Sequence, residues 1–195
     1  FAINATWDPE ESRWKAVDLG AIQRDATYWE ALYSSKLAAR VRALGFGISA
    51  TKGCGWTISG ISPDVLAKLS RRTAQVAERA EIEGNITAAQ KAALGAITRS
   101  KKGPHLSAEE LRGKWRALLS VEELKELEGV CKQAASGQLR PLSATDRVAY
   151  AQQAVEDATL KLETHASAWR ERQFLAHALH LSYGNCSLDE IRQAA

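Results

Sequence analysis

The chain has 195 residues, 45% of them apolar, and its 26 Lys and Arg against 23 Asp and Glu leave a net charge of +3. That apolar share excludes wholesale disorder. So small a net charge identifies no partner by itself, and any case for an anionic ligand has to come from local clusters.

Two short strands are expected at residues 1–6 and 13–17, joined by the turn residues Asp8-Pro9-Glu10-Glu11. A helix is expected over 19–44, because Tyr28, Ala31, Leu32, Leu37, Ala38, Val41 and Leu44 keep close to a three-four spacing and Gly45 stops it. A second hairpin follows as FGISAT, the turn KGCG, and WTISGI. Phe46, Ile48 and Ala50 alternate there, as do Trp56 and Ile58, with Gly53 and Gly55 as turn residues of positive φ.

From Ser62 the pattern turns helical. Ser62 reads as an N-cap and Pro63 as the first residue of a helix that stops at Gly84. Thr87 caps the next helix, which ends at Gly103-Pro104. Ser107 with Glu110, and Ser120 with Glu123, read as capping boxes. The stretch SGQLRPLSA marks a linker over about 136–143. Beyond it lie a helix over 145–165, a shorter one in WRERQFLAHALHLS, the turn YGNCS, and a last helix capped by Ser187. The expected class is α+β: antiparallel β-hairpins with helices, followed by an all-α segment.

Cys54, Cys131 and Cys186 are distant from one another and odd in number, which suits a reducing compartment better than a disulfide framework. No run of about 18 apolar residues exists to span a membrane. No basic and then apolar leader is visible, so a cytoplasmic protein is expected.

The chemistry begins with a basic segment. Between Ala88 and Arg116 stand Lys91, Arg99, Lys101, Lys102, Arg112, Lys114 and Arg116 against only Glu109 and Glu110. Arg71, Arg72 and Arg79 precede them, and Ser70 and Thr98 add hydroxyls. Phosphates are bound by such donors, and Trp115 and Trp56 offer faces on which bases stack. A solvated helical face explains the same run. His177 and His180, three apart on a helix, lack a third metal ligand and read as packing or surface residues; His105 and His165 have no evident partner. Tyr28 and Tyr33 fall within an amphipathic helix and read as core. GFGIS lacks the spacing of a phosphate-cradling loop. By local motifs the chain holds no complete active site.

The order of elements resembles the second half of a conjugative relaxase domain of the TrwC/TraI (MobF) type. The resemblance covers residues 1–118 and rests on a series. A strand ends in Asn4-Ala5-Thr6, and a helix carries Tyr33, Leu37 and Ala38 and closes in Leu44-Gly45-Phe46. The step Gly60-Ile61-Ser62-Pro63 leads to Ser70 and Arg72, and Thr98-Arg99-x-x-Lys102 follows. The last third, WRERQFLAHALHLSYGNCSLDEIRQAA, is similar to the small helical segment that opens the helicase part of such proteins.

The resemblance implies site- and strand-specific nicking of plasmid DNA at the transfer origin. A tyrosine attacks the phosphate and stays linked to the 5′ end, while a divalent metal on three histidines polarises it. It places the family's His-x-His pair just before Phe1–Thr6, so the nucleophile and metal site are expected upstream and the chain is expected to be an internal fragment. Asn4 and Thr6 become supports beneath that site. No cofactor is expected on this chain; the divalent metal belongs to the complete relaxase. Residues 1–118 would be the C-terminal part of the relaxase domain, with a palm-like sheet, 119–143 a helix and linker, and 144–195 the start of a helicase region. The expected partners are single-stranded plasmid DNA and the rest of the relaxase-helicase polypeptide. The implied DNA-binding residues are Arg72, Thr98, Arg99 and Lys102. Lys102 would stand near the scissile phosphate. The alternative for Arg99 is that it pairs with a carboxylate to fix its helix. The rival readings are a non-catalytic helical adaptor that docks onto proteins and a complete small nuclease using Tyr28 or Tyr33.

Overall fold

The computed structural model describes residues 5–16, 18–51, 55–70, 78–82, 106–137, 141–164 and 168–195, with single positions at 76, 84, 87 and 90. In chain order the elements are β1 (Thr6–Asp8), β2 (Arg13–Lys15), α1 (Gly20–Arg24), α2 (Ala26–Ala43), β3 (Ile48–Ala50) and β4 (Trp56–Ile58). They continue with α3 (Pro63–Leu69), α4 (Ala108–Arg116), α5 (Val121–Ala135), α6 (Ala144–Glu163), α7 (Glu171–Ser182) and α8 (Leu188–Ala194). Small β-hairpins among many helices make the class α+β, as the sequence predicts. Two compact units form: residues 1–57 with 139–195, and residues 58–138.

In the first unit, β1 and β2 pair antiparallel with Thr6 opposite Lys15, Trp7 opposite Trp14 and Asp8 opposite Arg13. Asp8 builds the turn, its Oδ1 accepting from Glu10 N at 2.9 Å and Glu11 N at 3.2 Å. These local bonds replace ladder bonds at the strand end. The strand expected over 1–6 is therefore displaced: pairing runs to Asp8, and residues 1–4 lie outside the described residues. The Trp7 and Trp14 rings meet edge to face at 5.6 Å across the hairpin, and both are exposed. In the second hairpin Gly53 and Cys54 lie outside the described residues, and Thr51 N donates to Gly55 O at 2.9 Å. A Cβ on Gly55 would sit 2.6 Å from Thr51 Oγ1, a contact that rotation of the threonine side chain relieves, and Gly55 does not adopt the positive φ expected of it.

The helix expected over 19–44 is two helices, broken at Asp25 (φ −103°, ψ 18°). The Asp25 carboxylate accepts from the Arg172 guanidinium, which also lies 5.8 Å from the centre of the Tyr28 ring and 5.5 Å from that of Trp29. A distant partner thus holds the residue at the break. On α2 the buried stripe is Tyr28, Ala31, Ser35 and Ala38. Tyr33 and Leu37, expected in the core, are exposed. Each stands two residues from a stripe member, about 200° around the helix. Leu44, after the helix end, is exposed too.

The core of this unit is built largely from alanine. Ala151, Ala154, Ala158 and Leu162 make one stripe on α6, while Leu175, Ala176, Ala178 and Leu179 are all buried on α7. Packing against both α2 and α6 buries α7 on more than one side. Ile191 and Cys186 complete the cluster. Burial pushes the Cys186 thiol up to about 11, so it behaves as a small apolar residue. Arg147 Nε donates to Glu190 Oε1 at 2.8 Å, tying α6 to α8.

In the second unit α3 stops at Leu69, where the sequence pattern continues to Gly84; residues 71–75 lie outside the described residues. The expected caps hold at Ser107, Ser120 and Ser187, each a reciprocal box with the glutamate three residues on. Thr87 forms one with Gln90. Ser143 forms a fourth serine box with Asp146, which starts α6 one residue before the expected position. Three ties join the α3 segment to α5. Gly60, with φ 86°, leaves room for Val130; Ser62 N donates to Glu126 Oε1; and Lys68 Nζ bonds both Glu123 oxygens at 2.7 and 2.8 Å. The numbers rise on one side and fall on the other, so the two run in opposite directions.

Candidate nucleic-acid interface

Arg72, Thr98, Arg99 and Lys102, the residues implied by the resemblance, all lie outside the described residues, as do Arg71, Lys91 and Lys101. Ser70 closes α3, its N–H donating to Leu66 O at 2.8 Å, and Arg79 is an exposed residue of the helical stretch 78–82. The rest of the basic segment, on α4, is described fully.

On α4, Arg112, Trp115 and Arg116 stand at i, i+3 and i+4, which puts all three on one face. No residue of this helix is buried, and Trp115 is 53% exposed. On α5, Leu124, Leu127 and Cys131 stand at i, i+3 and i+7, again on one face. The two faces and Leu69 of α3 line a groove of about 740 Å³. Its floor is Trp115, Leu119, Leu124 and Leu127, and its rim carries Arg112, Arg116 and Lys132 against Glu128 alone. Such a volume suits a small molecule or a nucleotide. Lys68 holds the Glu123 carboxyl below its ordinary value, with Ser120 N–H adding to the effect.

An indole with apolar neighbours and guanidiniums at its border can do two things at once. It stacks unpaired bases, and it meets the phosphates that flank them. Lys114 is exposed and does not line the groove. Trp56, the other indole expected to stack bases, is half-buried and donates through Nε1 to Ser34 Oγ at 2.9 Å, which makes it a packing residue. The sequence does not single out the contribution of α5. Leu124, Leu127 and Cys131 carry the signal of an ordinary apolar helix face, and spacing does not reveal whether such a face is covered.

The first unit has a cavity of its own, of about 390 Å³, between the α1–α2 junction and α7. His177 and His180 line it with Arg24, Arg170 and Arg172. Among the described residues no three His, Cys, Asp or Glu side chains converge as metal ligands. The described residues therefore do not fit the histidine-bound metal of a relaxase. Burial holds His177 below the ordinary 6.5, and the charges of Lys161 and His180 add to the effect. A folded-state value below the unfolded one places the stabilising contribution above about pH 6.5, to be lost as the pH falls through the folded value. The urea midpoint should therefore fall more between about pH 7.5 and 5.5 in the wild type than in His177→Gln. Parallel falls would remove His177 as the cause.

No curated protein matches the chain. A solved structure of the conjugative relaxase TrwC in complex with mutant oriT DNA is similar at 27% identity and a TM-score of 0.48, over 60% of this chain and 42% of that one. The chain thus spans less than half the length of the protein it matches. The sequence model of the TrwC relaxase family matches residues 1–121, a span that takes in both hairpins, α1 to α3 and the Trp115 face of α4. With most of its length inside that match, the chain belongs to the TrwC relaxase family.

Proposed function

We propose that this chain is a single-stranded-DNA-binding part of a conjugative relaxase, which nicks plasmid transfer-origin DNA by tyrosine transesterification. The observation that carries the reading is the groove of the second unit, which an exposed Trp115 lines together with Arg112, Arg116, Leu119, Leu124 and Leu127. The α4 face falls within the family match. Bases of an unpaired strand stack on the indole and the leucines, while the guanidiniums and Lys132 meet the phosphates. In this reading Arg72, Thr98, Arg99 and Lys102 add phosphate contacts to the same strand. The nucleophilic tyrosine, the divalent metal with its histidines, and any helicase belong to other parts of the polypeptide.

The uncovered apolar floor also suits an amphipathic helix of a protein partner, so the test separates the two. Fluorescence anisotropy with a labelled oligothymidylate should show binding that Trp115→Ala weakens about tenfold, since one stacked base contributes roughly 1–3 kcal/mol. An affinity unchanged by that substitution would take the strand out of the groove. Absence of binding by the wild type would favour the protein partner.

A further inference from the structure

The cavity of the first unit is a second place where charge and space coincide. Three arginines line it, Arg24, Arg170 and Arg172, against one carboxylate, Asp25. Arg172 is committed: it pairs with Asp25 and lies over Tyr28 and Trp29. That pair cancels its own charge and fixes one wall. Neither Arg24 nor Arg170 has a carboxylate partner among the described residues. Two positive charges are thus left facing a recess of about 390 Å³, with the Thr27 hydroxyl and the Gln173 amide as neutral donors beside them.

This composition selects an anion rather than a cation. Among the described residues the one lining carboxylate is taken by Arg172, and the two histidines have no third metal ligand. Two guanidiniums match a tetrahedral oxyanion whose several oxygens accept in parallel. We propose that this cavity holds a phosphate group of a nucleotide, either free or at the end of a strand. Arg170 lies beyond the family match, and the cavity shares no residue with the groove around Trp115.

The full chain is titrated by calorimetry with inorganic pyrophosphate, and by anisotropy with a 5′-phosphorylated and a 5′-hydroxyl oligothymidylate. Substituting Arg24→Ala together with Arg170→Ala should weaken pyrophosphate binding at least about tenfold. The paired lysine substitutions, which keep the charge but not the forked donors, should restore only part of it. Trp115→Ala should leave pyrophosphate binding unchanged, so the two sites fail or stand independently. If the alanine pair lowers the unfolding midpoint, Arg24→Gln with Arg170→Gln is read in its place. Loss with pyrophosphate points to a free nucleotide or phosphate. Loss confined to the 5′-phosphorylated strand points to a strand end. Equal binding of all three probes by wild type and variant, or no binding of any probe by the wild type, overturns the proposal.

Discussion

Gly184→Ala should destabilise the first unit by about 3–5 kcal/mol, a large share of a typical domain's stability. Gly184 follows α7 with φ 72°, directly after Tyr183, itself left-handed at φ 47°. A Cβ there would lie 2.6 Å from Ala39 N, 2.8 Å from Ala38 Cβ and 2.8 Å from Ser35 O. Two of those atoms are backbone and cannot swing aside, so α2 itself has to move. Left-handed backbone strain alone contributes about 1–2 kcal/mol, and the clash adds the rest. Gly137→Ala is the control. It shares a positive φ, 65°, but a Cβ there would meet nothing within 4 Å. Urea unfolding followed by circular dichroism should therefore show a loss of only about 1 kcal/mol for Gly137→Ala. Equal losses for the two would mean that α2 does not approach the Gly184 turn as closely as described.

The contrast between those glycines shows which features were legible in the sequence. Helix starts were, because a cap is written within four residues: the boxes of Ser107 with Glu110 and Ser120 with Glu123 close as expected, and the expected cap at Ser187 holds, with Glu190 completing a box there too. Hairpins were legible as pairs of runs around turn residues, but their bounds were not. Asp8 reads as turn chemistry and serves both as turn acceptor and as the last paired residue of β1. The break at Asp25 left no local sign, since its partner Arg172 is 147 residues away. The alanine core was legible only in part. Ala31 and Ala38 fall in the expected three-four spacing of α2 and are buried, whereas Ala151, Ala154 and Ala158 of α6 did not stand out, because alanine carries little hydrophobic contrast. Of the candidate interface, Arg112 and Arg116 were legible only as members of a basic run and Trp115 as a possible stacking indole, whereas the α5 floor depended on a tertiary fact: whether anything covers it.

The groove makes the second large prediction. Arg112→Glu with Arg116→Glu should weaken single-strand binding by about 100-fold or more at moderate salt, because each change removes an attraction and adds a repulsion. It should also flatten the plot of log affinity against log salt by about 1.4, which is about 0.7 for each phosphate of a single strand that is no longer neutralised. Both arginines are exposed, and neither has a carboxylate partner among the described residues, so the fold should survive with its unfolding midpoint nearly unchanged. Trp115→Ala works differently. It removes a stacking surface and no charge, so affinity should fall while the slope stays as it was. The pair of variants thus separates the two parts of the interface. If the double charge reversal leaves the salt slope intact, phosphates do not pass along this rim. If Trp115→Ala changes the slope as well, the indole holds the arginines in place rather than stacking on bases.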